Sequence, residues 1–223
     1  MDIVRKGKFN FSEAKQMCFQ GWQSCISCHP DARADALKWD LENDGNGNFK
    51  NDKSLLYAHV TAPSMITGVR DSAEIATRAG IQYILFWDPA QLEDRAHAID
   101  MYLRTVRAVP SPFLDKGLLS TSAKRGKVLF KELKCDECHT PDQYFTDKKK
   151  HGGRMPEENN RKVPPDGNWD TPTLHEVWRT APYSFDGVCA TMRCMYEEPI
   201  SHGIEKPISE QDLTDLVEYV NSL

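Results

Sequence analysis

Apolar residues return at helical spacing in two widely separated stretches. Ala96, Ile99, Leu103 and Val106 share one face of a 3.6-residue helix, and Leu213, Leu216, Val217 and Val220 share one face of another. Ser209 stands where an N-cap belongs ahead of the second stretch, with Glu210 and Asp212 favouring its positive end. Thr121 or Ser122 is placed to cap a further helix that runs toward Cys135. Strand signals are few. The best β-like run covers residues 81–87 and reads equally well as buried coil. Two prolines and a glycine in residues 109–117 interrupt helical periodicity and mark a boundary.

The two halves on either side of that boundary repeat one another. Thr61-Ala62-Pro63 is followed by Gly68-Val69, and Thr180-Ala181-Pro182 by Gly187-Val188, at the same offset. Ser54-Leu55 and Thr173-Leu174 fall in register just before these segments, and Gly7 and Phe11 are echoed by Gly126 and Phe130. The expected organisation is two tandem units, residues 1–110 and 111–223, each closing on one of the amphipathic helices.

Each unit carries the same five-residue motif, Cys25-Ile26-Ser27-Cys28-His29 in one and Cys135-Asp136-Glu137-Cys138-His139 in the other. This is the attachment sequence of a c-type haem: two thiols form thioethers to the porphyrin and the adjacent histidine reaches the iron. A zinc ribbon also uses paired Cys-x-x-Cys, but roughly 15–20 residues apart and without the trailing histidine. A dithiol redox motif leaves that histidine unexplained. The expected fold is therefore mainly α: two tandem cytochrome c-like domains with long loops, each enclosing one covalently bound haem c.

Composition fits two small units that need a staple. The 223 residues are 39% hydrophobic, and mean hydropathy is −0.59. A net charge of −5 argues against nucleic acid or an anionic membrane as partner, and no apolar run approaches the ~20 residues of a membrane helix. A small redox protein as electron donor and a small oxidant such as hydrogen peroxide are the expected partners. Thioether attachment takes place outside the bacterial cytoplasm, so a periplasmic or otherwise exported protein is expected, although the first eleven residues contain no apolar signal segment. Haem attachment leaves Cys18, Cys189 and Cys194. A Cys189–Cys194 disulfide and buried free thiols are both open readings.

The second axial ligands follow less directly. His202 precedes the last helix, where a distal ligand is usually presented, with Met195 and Met192 as substitutes. The matching stretch of the first half, residues 71–89, has neither histidine nor methionine. That iron is expected to be open to a small ligand unless His59 or Met65 closes it. His59 matches Trp178 in the repeat, which favours packing. Glu74, just after Arg70, is the carboxylate best placed for acid–base work there. Asp44, Asn46 and Asn48 alternate like a calcium loop, but Leu55 stands where a bidentate glutamate belongs, so a turn is expected and Ca2+ is the minority reading. Lys148 to Lys150 with His151 and Arg154 reads as a solvated loop.

These residues resemble the bacterial di-haem cytochrome c peroxidase superfamily. The resemblance is closest in Gly126 to Phe130, Cys135 to Pro141, Asp170 to Leu174, Trp178 to Tyr183, Asp186-Gly187 and the closing run to Leu223. It implies electron transfer at the C-terminal haem and reaction with peroxide at the N-terminal one. The first half departs where the family carries a segment bearing glutamine, tryptophan and arginine: Arg70 and Glu74 match it approximately, and Met65 stands near the glutamine position. That half is also similar to cytochrome segments attached to exported β-propeller-type surface proteins.

Overall fold

A computed structural model describes residues 1–40, 49–152 and 168–223. Among the described residues seven α-helices carry the fold: α1 (Ile3–Ser12), α2 (Cys25–Cys28), α3 (Ala73–Tyr83), α4 (Glu93–Leu103), α5 (Thr121–Glu132), α6 (Cys135–Cys138) and α7 (Glu210–Asn221). Two antiparallel ladders of two or three residues join β1 (Lys38–Trp39) to β2 (Lys50–Asn51) and β3 (Lys150–Gly152) to β4 (Asn168–Asp170). The calcium-loop residues Asp44, Asn46 and Asn48, and Arg154, lie outside the described residues.

Each half is built on a crossed helix pair, α1 on α4 and α5 on α7. The pairs approach closely for the same reason. A Cβ on Gly7 would overlap the Ala98 carbonyl, and a Cβ on Gly126 would overlap the Asp215 carbonyl. Only glycine lets the backbones meet there. One turn later Phe11 meets Tyr102 at 5.6 Å between ring centres, and Phe130 meets Tyr219 at 5.3 Å. One core gathers Phe11, Met17, Ile81, Leu85, Ile99 and Leu103. The other gathers Phe130, Val177, Leu216, Tyr219 and Val220. Burial of each such side chain contributes about 1.5–3 kcal/mol.

The ends of these helices differ from expectation in places. Ser209 caps α7 by accepting from the Asp212 N–H. The cap of α5 is Ser120 rather than Thr121 or Ser122: its hydroxyl accepts from Ala123 N–H at 3.0 Å, and Thr121 is already the first helical residue. The strand-like run at 81–87 is not a strand. Ser72 nucleates α3 by accepting from Ile75 N–H, so Ile81 and Tyr83 fall in its last turn, with Ile81 and Leu85 buried in the core. Nor are Lys148 to His151 a free loop, because Lys150 and His151 pair with Asp170 and Trp169 in the β3–β4 ladder.

The halves meet through a pseudo-symmetric exchange. Asn51 N–H donates to Phe185 O at 2.7 Å, and Asp170 N–H donates to Ile66 O at 3.0 Å. The methylenes of Lys38 lie over Gly187 and those of Lys150 over Gly68, two glycines with left-handed φ of 64° and 59°. A buried ion pair completes the joint. Arg33 Nε and Nη2 each lie 2.7 Å from a carboxylate oxygen of Glu176, which also accepts from Val109 N–H at 2.5 Å. Among the described residues no helix is long and apolar enough to cross a membrane.

Candidate haem-binding sites

The attachment motifs form the same local structure twice. Each Cys-x-x-Cys is a single helical turn, so its two sulfurs stand on one side, three residues apart. The histidine that follows caps the turn, with His29 N–H donating to Cys25 O at 2.9 Å and His139 N–H to Cys135 O at 2.8 Å. Burial pushes the thiols up, Cys25 to about 12, Cys28 and Cys135 to about 11, and Cys138 in the same direction. These are neutral thiols, unlike the acidified pair of a dithiol oxidoreductase.

The histidine rings are fixed by their inner nitrogen. His29 Nδ1 lies 3.0 Å from Arg33 O, and His139 Nδ1 lies 3.0 Å from Phe145 O. A carbonyl only accepts, so both Nδ1 atoms carry the proton and each Nε2 is left with its lone pair. Burial lowers the His29 pKa; burial, then nearby His202, takes His139 down to about 4. Both rings are therefore neutral, the form that binds a metal.

In the second half His202 is exposed as a residue, yet desolvation by the protein around its ring lowers its pKa, and its ring centre stands 6.3 Å from that of His139. Two imidazoles bound on opposite sides of one metal at about 2 Å each would have ring centres about 6 Å apart. His202 is placed by its own N–H, which donates to Met195 O at 2.8 Å. Cys189, paired with Tyr183 in an isolated bridge, and Cys194, within the single 3-10 turn Arg193–Met195, form a disulfide upstream. Met192 is buried in the core, and Met195 packs at the core's edge.

The first half arranges this region differently. Residues 73–83 form α3. His59 Nε2 is 3.1 Å from Asp100 on α4, and Asp100 is also paired with Arg78. Met65 is exposed at a turn with φ of 74°. Glu74 pairs with Arg104 rather than Arg70. Burial opposes its ionisation, but hydrogen bonds from its own N–H and Ser72, with the charges of His59 and Arg104, leave its pKa lowered.

Several features of the site are not readable from the sequence: Arg33 and Phe145 as acceptors for the histidines, Asp52 with Oδ2 3.1 Å from His29 Nδ1, and an aromatic cluster across the halves. In that cluster Tyr57 lies 4.8 Å from Tyr144 and 5.3 Å from His175, and His175 lies 5.3 Å from Phe145. Of the tryptophans, Trp22 is largely exposed, Trp39 is at the surface, and Trp169 stacks on Phe185 at 4.2 Å.

The donor set fits haem c better than zinc. Buried donors Trp169 Nε1, Trp178 Nε1 and Ser184 Oγ have no hydrogen-bond partner among the described residues. Such orphans call for an acceptor, and haem propionates are acceptors. The only metal-like cluster among the described residues is Cys138, Asp147 and His151, within 4.8 Å of one another. It has three donors where a closed zinc site needs four, and one belongs to the attachment motif.

Comparison with known proteins agrees. The cytochrome c family matches residues 123–223. Hydrazine synthase subunit gamma of Kuenenia stuttgartiensis is 28% identical over 276 aligned residues, covering 100% of this chain and 78% of that protein. A solved structure of hydrazine synthase from Kuenenia stuttgartiensis superposes with a TM-score of 0.85 at 25% identity, covering 99% of this chain and 87% of its own. The diheme peroxidase BthA of Burkholderia thailandensis superposes with a TM-score of 0.73 at 16% identity, covering 99% and 85%. A MauG-like protein associated with microbial copper homeostasis gives 0.71 at 20%, covering 99% and 88%. Residues 123–223 are thus a cytochrome c domain, and the chain as a whole shares its fold with hydrazine synthase and with the diheme peroxidase and MauG-like structures.

Proposed function

We propose that this chain binds two haems c, one in residues 1–110 through Cys25, Cys28 and His29 and one in residues 111–223 through Cys135, Cys138 and His139. The second passes electrons from a donor, and the first reduces a small oxidant. A haem held on both sides moves single electrons with little rearrangement, whereas one held on a single side can accept a small ligand. The observation that carries this division is the His139–His202 pair at 6.3 Å, which has no counterpart among the described residues of the first half.

Desolvation keeps His139 and His202 neutral, and these two residues would hold the second haem. Phe145 O fixes the proton of His139 on Nδ1. In the first half His29 supplies the single ligand. His59 is tied to Asp100, and α3 occupies the stretch where the second half carries its loop. Glu74, ionised beside Arg104, accepts rather than donates a proton as it stands. Haem c implies maturation outside the bacterial cytoplasm, so the site of action is the periplasm or another exported location.

The oxidant used as a test is hydrogen peroxide, with a small reduced cytochrome as donor. Matured protein should gain the mass of two haems, bind one carbon monoxide per two reduced haems, and consume peroxide with the donor. Mass for a single haem, or no carbon monoxide binding, overturns the assignment. A second reading, an electron-transfer module without peroxidase activity within a larger exported redox protein, is favoured by similarity to a subunit along the whole chain. It predicts two low-spin, six-coordinate haems and no peroxide turnover.

A further inference from the structure

The two attachment histidines differ in what stands behind them. His139 Nδ1 has backbone acceptors at Phe145 and Pro172, with Asp147 acting on the ring only as a nearby charge. His29 Nδ1 faces Arg33 O at 3.0 Å and also the carboxylate of Asp52, whose Oδ2 lies 3.1 Å from the same nitrogen. The N–H points at the carbonyl, so Asp52 Oδ2 is a buried acceptor with no donor of its own among the described residues. The neighbouring cations are committed elsewhere, Arg33 to Glu176 and Lys53 to Asp170. His29 is therefore the donor within reach of this oxygen.

Register identifies the counterpart. Asn51 N–H donating to Phe185 O matches Asp170 N–H donating to Ile66 O, so Asp52 corresponds to Thr171, an uncharged residue. One substitution between the repeats thus places a carboxyl group 3.1 Å from one proximal Nδ1, whereas Thr171 offers none at the matching place behind the other. A hydrogen bond from the outer nitrogen of a metal-bound histidine to a carboxylate raises the basicity of the ligating nitrogen and orients the ring. A more basic axial ligand stabilises oxidised iron.

We propose that Asp52 is a positioning residue for the first-half haem: it takes the His29 Nδ1 proton in hydrogen bond, strengthens the bond from Nε2 to iron, and sets that haem's reduction potential below the second's. This rests on the reading of His29 as an iron ligand. The gain belongs in the half that handles the oxidant, because a strongly donating histidine favours electron release from iron.

The test uses the whole matured protein and two independent removals of the carboxyl group, Asp52→Asn and Asp52→Thr, the latter copying the second half, with Asp52→Glu as the conservative variant. Redox titration should show the potential of one haem rising in both removal variants while the other stays put, and Asp52→Glu should move it back toward the starting value. The iron–histidine vibration of the reduced first-half haem should shift to lower frequency in Asp52→Asn. Unchanged potentials and an unchanged vibration, with both haems present by mass, overturn the role of Asp52 alone. Absence of haem from Cys25 and Cys28 in the unsubstituted protein overturns the His29 reading and this proposal with it.

Discussion

The first and second halves share a scaffold and differ in one element. Both close a helix pair over a glycine, α1 and α4 over Gly7 and α5 and α7 over Gly126, and both hold the attachment histidine by a backbone carbonyl. After the Thr-Ala-Pro turn they diverge. The second half runs through the Cys189–Cys194 disulfide to His202, whereas the first half folds α3 and pins it with Arg78 to Asp100 and Glu93. The two halves keep the same packing around the Cys-x-x-Cys-His motif and differ in what stands across from it.

The joint between the halves offers the largest stability test. Glu176→Ala leaves the Arg33 guanidinium and the Val109 N–H without their acceptor in a buried place, which costs about 3–5 kcal/mol. Thermal unfolding of the matured protein should fall accordingly. It should also separate into two transitions if the two cores then melt on their own. A single transition with unchanged midpoint would show that the halves do not depend on this pair.

The helix crossings test whether the scaffold really is the same device used twice. Gly7→Ala and Gly126→Ala each drive a Cβ into a backbone carbonyl, and overpacking of this kind costs about 1–3 kcal/mol. Denaturant titration should give similar losses for both. A large loss at one and none at the other would break the equivalence.

Acid sensitivity should also be shared. Asp100 on α4 and Asp215 on α7 are both buried. Burial opposes ionisation of Asp100, but hydrogen bonds from His59 and Arg78 leave its pKa lowered. Asp215 is brought to about 2 chiefly by its hydrogen bond from Arg125. A carboxyl depressed in the folded state contributes stability that is full above its unfolded value of 3.8 and is lost as pH falls through the folded value. Asp215→Asn should flatten the decline of stability between 3.8 and about 2. An unchanged acid limb would contradict the assignment.

The attachment motifs, the repeat and the two closing helices were legible because each rests on local spacing: Cys-x-x-Cys-His over five residues, Gly to Phe over four, and a 3.6-residue period. The α5 cap was misplaced by one residue because Ser120, Thr121 and Ser122 are all good caps in sequence. The run at 81–87 looked strand-like because Ile81, Ile84, Phe86 and Trp87 favour strands by type, while the Ser72 cap and the packing of Ile81 decide for helix. Arg33 with Glu176 was invisible since 143 residues separate them. Asp52 gave no local signal, because its meaning comes from lying behind His29 in space.

Electron paramagnetic resonance of the fully oxidised, matured protein tests the inequality of the halves most directly. One low-spin and one high-spin ferric haem in equal amounts are predicted, with the low-spin signal lost in His202→Ala. Two low-spin haems, or a low-spin signal that survives His202→Ala, would contradict it.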